Sequence, residues 1–347
     1  MSGQDERARA LRALHDEGEP PLVLVNAWDA VSARVVAAQP GCRAIATASW
    51  SVAAAHGYPD GEELPTDLLF SAIGIVADAV DLPVTADLEA GYGMPGESAR
   101  LAIEAGAVGC NLEDGIGAAG LRPLGEAVDA VREVVAAGDE TGVPLVVNAR
   151  TDAFLAGVDD AFDVAVERGR AYLDGGADCI FVPGVTDAAT IRALVDAIGP
   201  VSVLATPRSP ALDELAALGV RRVSFGPGPL GVAMAALGEA AAGLLAHGAY
   251  PAALTYRPPG GEAPQTRDER WQRARTALGV FAEEWELPLR PEDLDEMAYA
   301  TIRHLNNRRD FGEVDAAVRE QIADLGRPPG HGGNGNGHGN GSGNGRH

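Results

Sequence analysis

The sequence predicts an α/β chain folded as a (β/α)8 barrel of the TIM type, and three observations carry that prediction. Short apolar strands recur eight times, each is followed by an Ala-rich helical pattern, and polar residues gather at the carboxyl ends of the strands. Near-continuous apolar strands joined by helices are buried on both faces, which means a parallel sheet. Eight such units close into a barrel whose active site lies at the carboxyl face.

The strands read PLVLVNA (21–27), RAIATAS (43–49), PVTADLE (83–89), VGCNLED (108–114), PLVVNAR (144–150), DCIFVPG (178–184), VSVLAT (201–206) and RRVSFGP (221–227). Between them lie AVSARVVAAQ, LLFSAIGIVADAV, ESARLAIEAG, GEAVDAVREVVAAG, DVAVERGRAYLDGG, AATIRALVDAIG and ALDELAALG, and GVAMAALGEAAAGLLAHG follows the last strand. Apolar residues at i, i+3, i+4 in these stretches are the helical period. A doubly wound open sheet is the competing architecture. It calls for a Gly-rich phosphate turn after the first strand, and VNAWDAVSAR offers none.

The barrel is expected over residues 1–250. A Pro/Gly/charge linker follows at 251–268, then a helical extension at 269–327 with WQRARTALGVFAEEW and LDEMAYATIRHLNNRRDF as amphipathic patterns. The Gly/Asn/His tail at 328–347 cannot bury apolar surface and is expected to be disordered.

Composition bounds the function. The chain has 347 residues, 46% hydrophobic, enough for a large core, and 27 basic against 50 acidic residues give a formal charge of −23. That balance argues against nucleic acid or an anionic membrane as partner, so an anionic substrate needs a local positive site. Cys42, Cys110 and Cys179 sit in or beside apolar runs without metal-type spacing and read as buried, reduced thiols. The charged opening MSGQDERARALRALHDEGEP is not a signal peptide, and no apolar run is read as approaching the ~20 residues of a membrane span. The expected setting is cytoplasmic.

The polar residues at the strand ends are Asn26 with Asp29, Thr47 with Ser49, Asp87 with Glu89, Glu113 with Asp114, and Asn148 with Arg150. Asp87 and Glu89, two apart on one strand, are expected to point the same way. With Glu113 they suit a hard, oxygen-liking cation such as Mg²⁺, held partly through waters. No His or Cys stands among them, which argues against zinc. The competing assignment is structural: the acids cap helices or pair with Arg150, and Asp114, before a Gly turn, could do only that. Arg150 is placed to hold a carboxylate or phosphate bidentately, or to form a buried ion pair with Glu113 or Asp152. The two roles are compatible.

NAWDAVSARVV, ATASWSVAAAHGYPDGEEL, VTADLEAGYG, CNLEDG and VNARTDAFLAG, in this order and spacing, resemble the isocitrate lyase/phosphoenolpyruvate mutase superfamily over about residues 20–250. The resemblance implies Mg²⁺ (Mn²⁺ as the alternative ion) bound by Asp87, Glu89 and Glu113, with Asp60 of YPDG nearby. It implies a small 2-oxo acid or its enolate bridging metal and backbone amides at Thr47, Ala48 and Ser49. Arg150 falls on the substrate-holding arginine, with Asn148 beside it. The implied catalytic set is Arg150, Glu113 and Asp60, and a homo-oligomer is expected. The chemistry suits such a site: cleavage next to a carbonyl leaves charge on an enolate oxygen, which a cation and preorganised N–H donors stabilise.

The loop after the fourth strand departs from the family. Lyases carry Lys, Cys, Gly and His there, and phosphorus–carbon mutases carry Lys and Asn. Here the loop reads DGIGAAGLRPLGEA, with Arg122 its one useful charge. A Glu that some lyases place after the sixth strand is replaced by Pro183 and Gly184 in IFVPGV, and Ser202, Thr206 and Arg208 are further candidate substrate contacts. The resemblance therefore implies an enolate-forming carbon–carbon lyase or decarboxylase using solvent as proton source. Phosphonate chemistry is the second class, and a non-catalytic barrel that binds an oxo acid is the third.

Overall fold

The fold was obtained as a computed structural model, which describes residues 3–16, 20–117, 120–248 and Arg290. Its strands are β1 (Leu22–Leu24), β2 (Asn26–Ala27), β3 (Ile45–Thr47), β4 (Val84–Asp87), β5 (Gly109–Glu113), β6 (Val146–Arg150), β7 (Cys179–Phe181), β8 (Val201–Leu204) and β9 (Arg222–Ser224). All pair in parallel in the order β1-β9-β8-β7-β6-β5-β4-β3-β2. The two ends of that order are consecutive in the chain, because Val25 divides one expected strand into β1, which pairs with β9, and β2, which pairs with β3. The nine segments are thus the eight strands of a closed (β/α)8 barrel, as the sequence predicts.

The barrel helices are α2 (Ala30–Ala37), α3 (Ser49–His56), α4 (Thr66–Asp78), α5 (Pro95–Glu104), α6 (Leu124–Thr141), α7 (Ala161–Asp174), α8 (Ala188–Ile198), α9 (Leu212–Ala217) and α10 (Gly228–His247). Local chemistry starts them where the strands end. Asp29 accepts from the Ser32 amide at 2.7 Å, and Ser32 Oγ returns the contact to the Asp29 amide at 3.0 Å. That reciprocal pair satisfies two orphan N–H groups of α2, so Asp29 is a helix cap. Asp187 caps α8 through the Thr190 amide at 2.9 Å.

An additional helix precedes the barrel: α1 (Gly3–Ala13) lies across the amino ends of the strands. Gln4 donates to the carbonyls of Ile103 and Ala107, and Arg12 pairs with Asp178 at 2.7 Å while reaching the Leu145 carbonyl. Ala8 and Leu11, on one helical face, are fully buried. This helix plugs the floor, and the open mouth is left to the carboxyl ends.

α10 corrects the expectation that no apolar run approaches bilayer length. It has 20 residues with a mean hydropathy of 1.5, sufficient by length and composition to cross a membrane. Only Leu230 is buried, while Val232, Met234, Leu237 and Leu245 are exposed. An apolar groove runs between Val31, Val35 and Val36 of α2 and Val232 and Ala233 of α10. The chain divides into two units, Met1–Gly261 and Glu262–His347. The expected linker at 251–268, helical extension at 269–327 and tail at 328–347 lie outside the described residues, apart from Arg290.

Candidate active site

Asp87, the last residue of β4, is buried at the mouth. Its Oδ2 accepts from the Ser49 amide at 2.9 Å, and its own amide donates to Thr47 Oγ1 at 2.9 Å. The Thr47 carbonyl accepts from Asn26 Nδ2 at 2.8 Å. The segment Thr47–Ala48–Ser49, where β3 turns into α3, is therefore fixed between Asn26 and Asp87.

Glu89 differs from expectation. The strand ends at Asp87, and Glu89 takes a left-handed φ of 50°, so the two acids do not share a strand face. The Glu89 carboxylate turns to the loop between α3 and α4. Its Oε2 accepts from the amides of Gly61 at 2.9 Å and Glu62 at 2.6 Å, and its Oε1 accepts from the Tyr92 hydroxyl at 2.7 Å. Glu62 reciprocates by accepting from the Tyr92 amide. Gly91 makes this turn feasible: its φ is 94°, and a Cβ there would lie 2.8 Å from that of Pro95. Asp60 belongs to the same loop, close to the Ser49 side chain. Its carboxyl is held above the usual range by lost solvation first, with Ser49 opposing and Asp87 adding.

Glu113 and Arg150 are register partners at the ends of β5 and β6, and they form an ion pair at 2.6 Å. Arg150 also donates from Nε to Asp152 Oδ1 at 2.6 Å and from Nη2 to Oδ2 at 3.0 Å. Both ion pairs open to it on sequence grounds thus exist together. Its guanidinium carbon stands 5.9 Å from the Phe181 ring centroid. Of the five guanidinium N–H groups these contacts use three, leaving one on each terminal nitrogen. Glu113 is pushed above the ordinary carboxylate range, chiefly by burial; Arg150 opposes this, while Asp152, Asp87 and Glu89 add to it.

Asp114 has the structural role open to it. It accepts from the Asp152 amide at 2.8 Å, Arg168 Nη1 at 3.0 Å and the Tyr172 hydroxyl at 2.6 Å. Arg168 and Tyr172, i and i+4 on α7, thereby set the position of Asp152 behind Arg150. Arg122 is also committed: it donates to the Ala90 carbonyl at 2.9 Å, and its own carbonyl accepts from Arg168 at 2.8 Å. Asn148 lies one pleat below Arg150, buried, donating to Asn111 Oδ1 at 2.8 Å. Ser202 is buried within β8, below the rim, while Thr206 and Arg208 sit in a turn closed by Ser209. Among the described residues no group of three or more His, Cys, Asp or Glu forms a ready-made metal cage.

The thiols stand apart from this chemistry. Cys110 and Cys179 are fully buried, and burial pushes each up to about 12; Cys42, expected to be buried, is only half-buried and is raised by the same cause. A thiol held protonated in an apolar layer is a poor acid–base group. Cys→Ser at each position is expected to leave kcat within about twofold, whereas Cys110→Ser lowers stability by roughly 1–3 kcal/mol through a buried hydroxyl. Turnover and melting of the three variants check this; a large kcat loss in a well-folded variant would place a thiol in the reaction.

The site is thus the mouth of a (β/α)8 barrel, with oxygen-bearing acidic side chains around one clamped arginine. The family described as phosphoenolpyruvate phosphomutase matches residues 11–245, and the chain belongs to it, within the isocitrate lyase/phosphoenolpyruvate mutase superfamily. It is 33% identical over 193 residues to 2-methylisocitrate lyase of Escherichia coli K12, covering 52% of this chain and 63% of that one. It is 31% identical over 252 residues to oxaloacetate decarboxylase of Paraburkholderia xenovorans LB400, covering 68% and 82%. The crystal structure of a Burkholderia cenocepacia J2315 protein described as a candidate phosphonomutase superposes with a TM-score of 0.64 at 46% identity, over 67% of this chain and 98% of that one.

Proposed function

We propose that the protein is an enzyme forming an enolate from a small 2-oxo acid or related carboxylate, as a carbon–carbon lyase or decarboxylase. The observation that carries this is a charge imbalance: among the described residues, Asp60, Asp87, Glu89, Glu113 and Asp152 gather around the ion-paired guanidinium of Arg150, with only Arg222, deeper in the barrel, also acting on Asp87. Such an excess of carboxylate oxygen fits a hard divalent cation, Mg²⁺ with Mn²⁺ as alternative. Asp87, Glu89 and Glu113 would hold it, partly through waters, because Mg²⁺ retains several waters and needs no closed protein cage. When bound, the cation supplies positive charge where an enolate oxygen develops.

The chain's own residues do the rest. The two free N–H groups of Arg150 take the substrate carboxylate, and Asp152 and Glu113 keep the fork from swinging. Thr47, Ala48 and Ser49 line the carbonyl end, and Asn148 supports the floor beneath Arg150. In a decarboxylation the C–C bond to the leaving carboxylate breaks, its electron pair enters the enolate, CO₂ departs, and solvent returns a proton to carbon. The Tyr92 hydroxyl, which donates to Glu89 and is held far above its ordinary pKa by burial first, is not the acid that returns this proton.

Phosphonate chemistry is the second reading, favoured by the 46% identity to the candidate phosphonomutase. A panel of oxaloacetate, 2-methylisocitrate and phosphonopyruvate, each with Mg²⁺ and with EDTA, separates the two by product analysis. Metal-dependent pyruvate release from either carbon substrate is expected. Stabilisation by oxalate without turnover would leave a binding barrel instead, and neither effect would end the reading.

The exposed apolar face of α10 supports the expected homo-oligomer, in the reducing, cytoplasmic setting that three free cysteines suit. Light scattering of the full chain is expected to give a multiple of the chain mass, and a monomer at micromolar concentration would overturn this.

A further inference from the structure

We propose that the interior of the barrel, below the mouth, binds a small monovalent anion of the halide class between Arg222 and Ser202. Arg222 opens β9 and is 1% exposed. Its side chain crosses the barrel: Nη2 donates to Asn111 Oδ1 on β5 at 3.0 Å and lies 3.5 Å from Thr85 Oγ1 on β4. Nε and Nη1 are buried with no hydrogen-bond partner. Among the described residues, no carboxylate forms an ion pair with it, whereas the buried Arg168 and the partly exposed Arg150 both have one.

Its direct polar contacts are neutral groups, and Asp87 at the mouth favours its charge without forming an ion pair with it. Ser202, its register partner on β8, is 0% exposed with an unpartnered Oγ. Asn111 Oδ1 already receives both Arg222 and Asn148. The nearby thiols Cys110 and Cys179 are pushed up to about 12 by burial and are uncharged. His15, beneath on the floor, is driven down to about 4 by burial first and by Arg222 second, so it is neutral too. Arg222, lowered only to about 10 by the same burial, keeps its proton at neutral pH. A buried charge without a counter-charge or full hydrogen bonding is strongly unfavourable. Water could fill the unmet N–H groups but brings no counter-charge to them.

Size and donor type select the ligand. Arg222 Nε and Nη1 and the Ser202 hydroxyl are all unpartnered donors, carried by register partners on adjacent strands. Space is short: a Cβ at Gly109 would lie 2.7 Å from Leu11 Cδ2 and 3.2 Å from Thr85 Oγ1. A single-atom anion such as chloride suits this interior better than a polyatomic oxo acid, which belongs at the mouth. The anion site lies below the mouth and does not rest on the reaction proposed above, although Asn111 joins Arg222 to Asn148.

Crystals grown with bromide in place of chloride test the site. An anomalous peak inside the barrel, within hydrogen-bond range of Arg222 and Ser202, is expected. In solution, exchanging gluconate for chloride at constant ionic strength should raise Tm saturably, by roughly 5 °C. Arg222→Met should abolish the halide effect. Should that variant fail to fold, Ser202→Ala keeps the question open to test, because it should move the half-maximal chloride concentration up about tenfold. Bromide at surface positions only, or equal melting in the two salts, would overturn the site.

Discussion

Asp87→Asn is expected to lower kcat/KM about a thousandfold while leaving the fold intact. Asp87 meets the site in two ways. It fixes the Thr47–Ser49 segment by accepting the Ser49 amide and donating to Thr47 Oγ1. It also supplies the negative charge that a hard cation would need at the centre of the mouth. Asparagine retains the size and one oxygen acceptor for the Ser49 amide, so the scaffold survives. It removes the charge, and transition-state charge stabilisation of ~4 kcal/mol corresponds to about three orders of magnitude. Asp87→Ala removes the charge and the acceptor for the Ser49 amide, keeping only the backbone donation to Thr47 Oγ1, and should add a loss of melting temperature that Asp87→Asn does not show. Turnover of the panel substrate and thermal unfolding of both variants make the comparison. An Asp87→Asn enzyme within tenfold of the parent would remove Asp87 from the catalytic machinery.

Much of this was legible because a barrel strand has few alternatives. Runs such as PLVVNAR and VGCNLED carry no charge until their last residues, so Glu113 and Arg150 had to emerge at the mouth, and register then makes them neighbours. What escaped was chemistry that depends on where a strand stops. PVTADLE looks continuous through Glu89, but the left-handed turn beginning there sends that carboxylate to the amides of residues 61 and 62. Val25 likewise interrupts an unbroken apolar run.

Charge concealed the remaining features. The opening segment is rich in charged residues, which hides Ala8 and Leu11 at helical spacing on one face of α1. In RRVSF the alternation of a strand sends one arginine outward and the next inward, so Arg222 could have been placed inside by counting from Val223. Arg168 and Tyr172 were readable only as one face of an amphipathic helix, since their acceptor, Asp114, is 54 and 58 residues away. The small residues of GVAMAALGEAAAGLLAHG made α10 look like an ordinary barrel helix, though its composition meets the hydropathy of a membrane span.

Arg150→Ala is expected to weaken substrate binding more than it slows chemistry. The guanidinium is side-chain-exposed to 20%, enough for a substrate carboxylate to reach the two N–H groups left by Glu113 and Asp152. A carboxylate that stays charged from ground state to transition state gains from Arg150 equally in both, so the loss falls mainly on KM. A charge-assisted contact is worth ~2–3 kcal/mol, or roughly 30- to 150-fold in kcat/KM. The substitution also leaves Glu113 and Asp152 facing each other without a cation, which should lower stability and tighten the dependence on added Mg²⁺. Arg150→Lys discriminates the two effects. It restores one positive charge against the acids, so melting should recover most of the loss. It cannot reproduce the planar fork that meets Asp152 and a carboxylate together, so KM should stay raised. Steady-state kinetics of both variants on the panel substrate give the answer, and a fall in kcat at unchanged KM would mean that Arg150 acts on the reacting centre rather than on the substrate's anchored end.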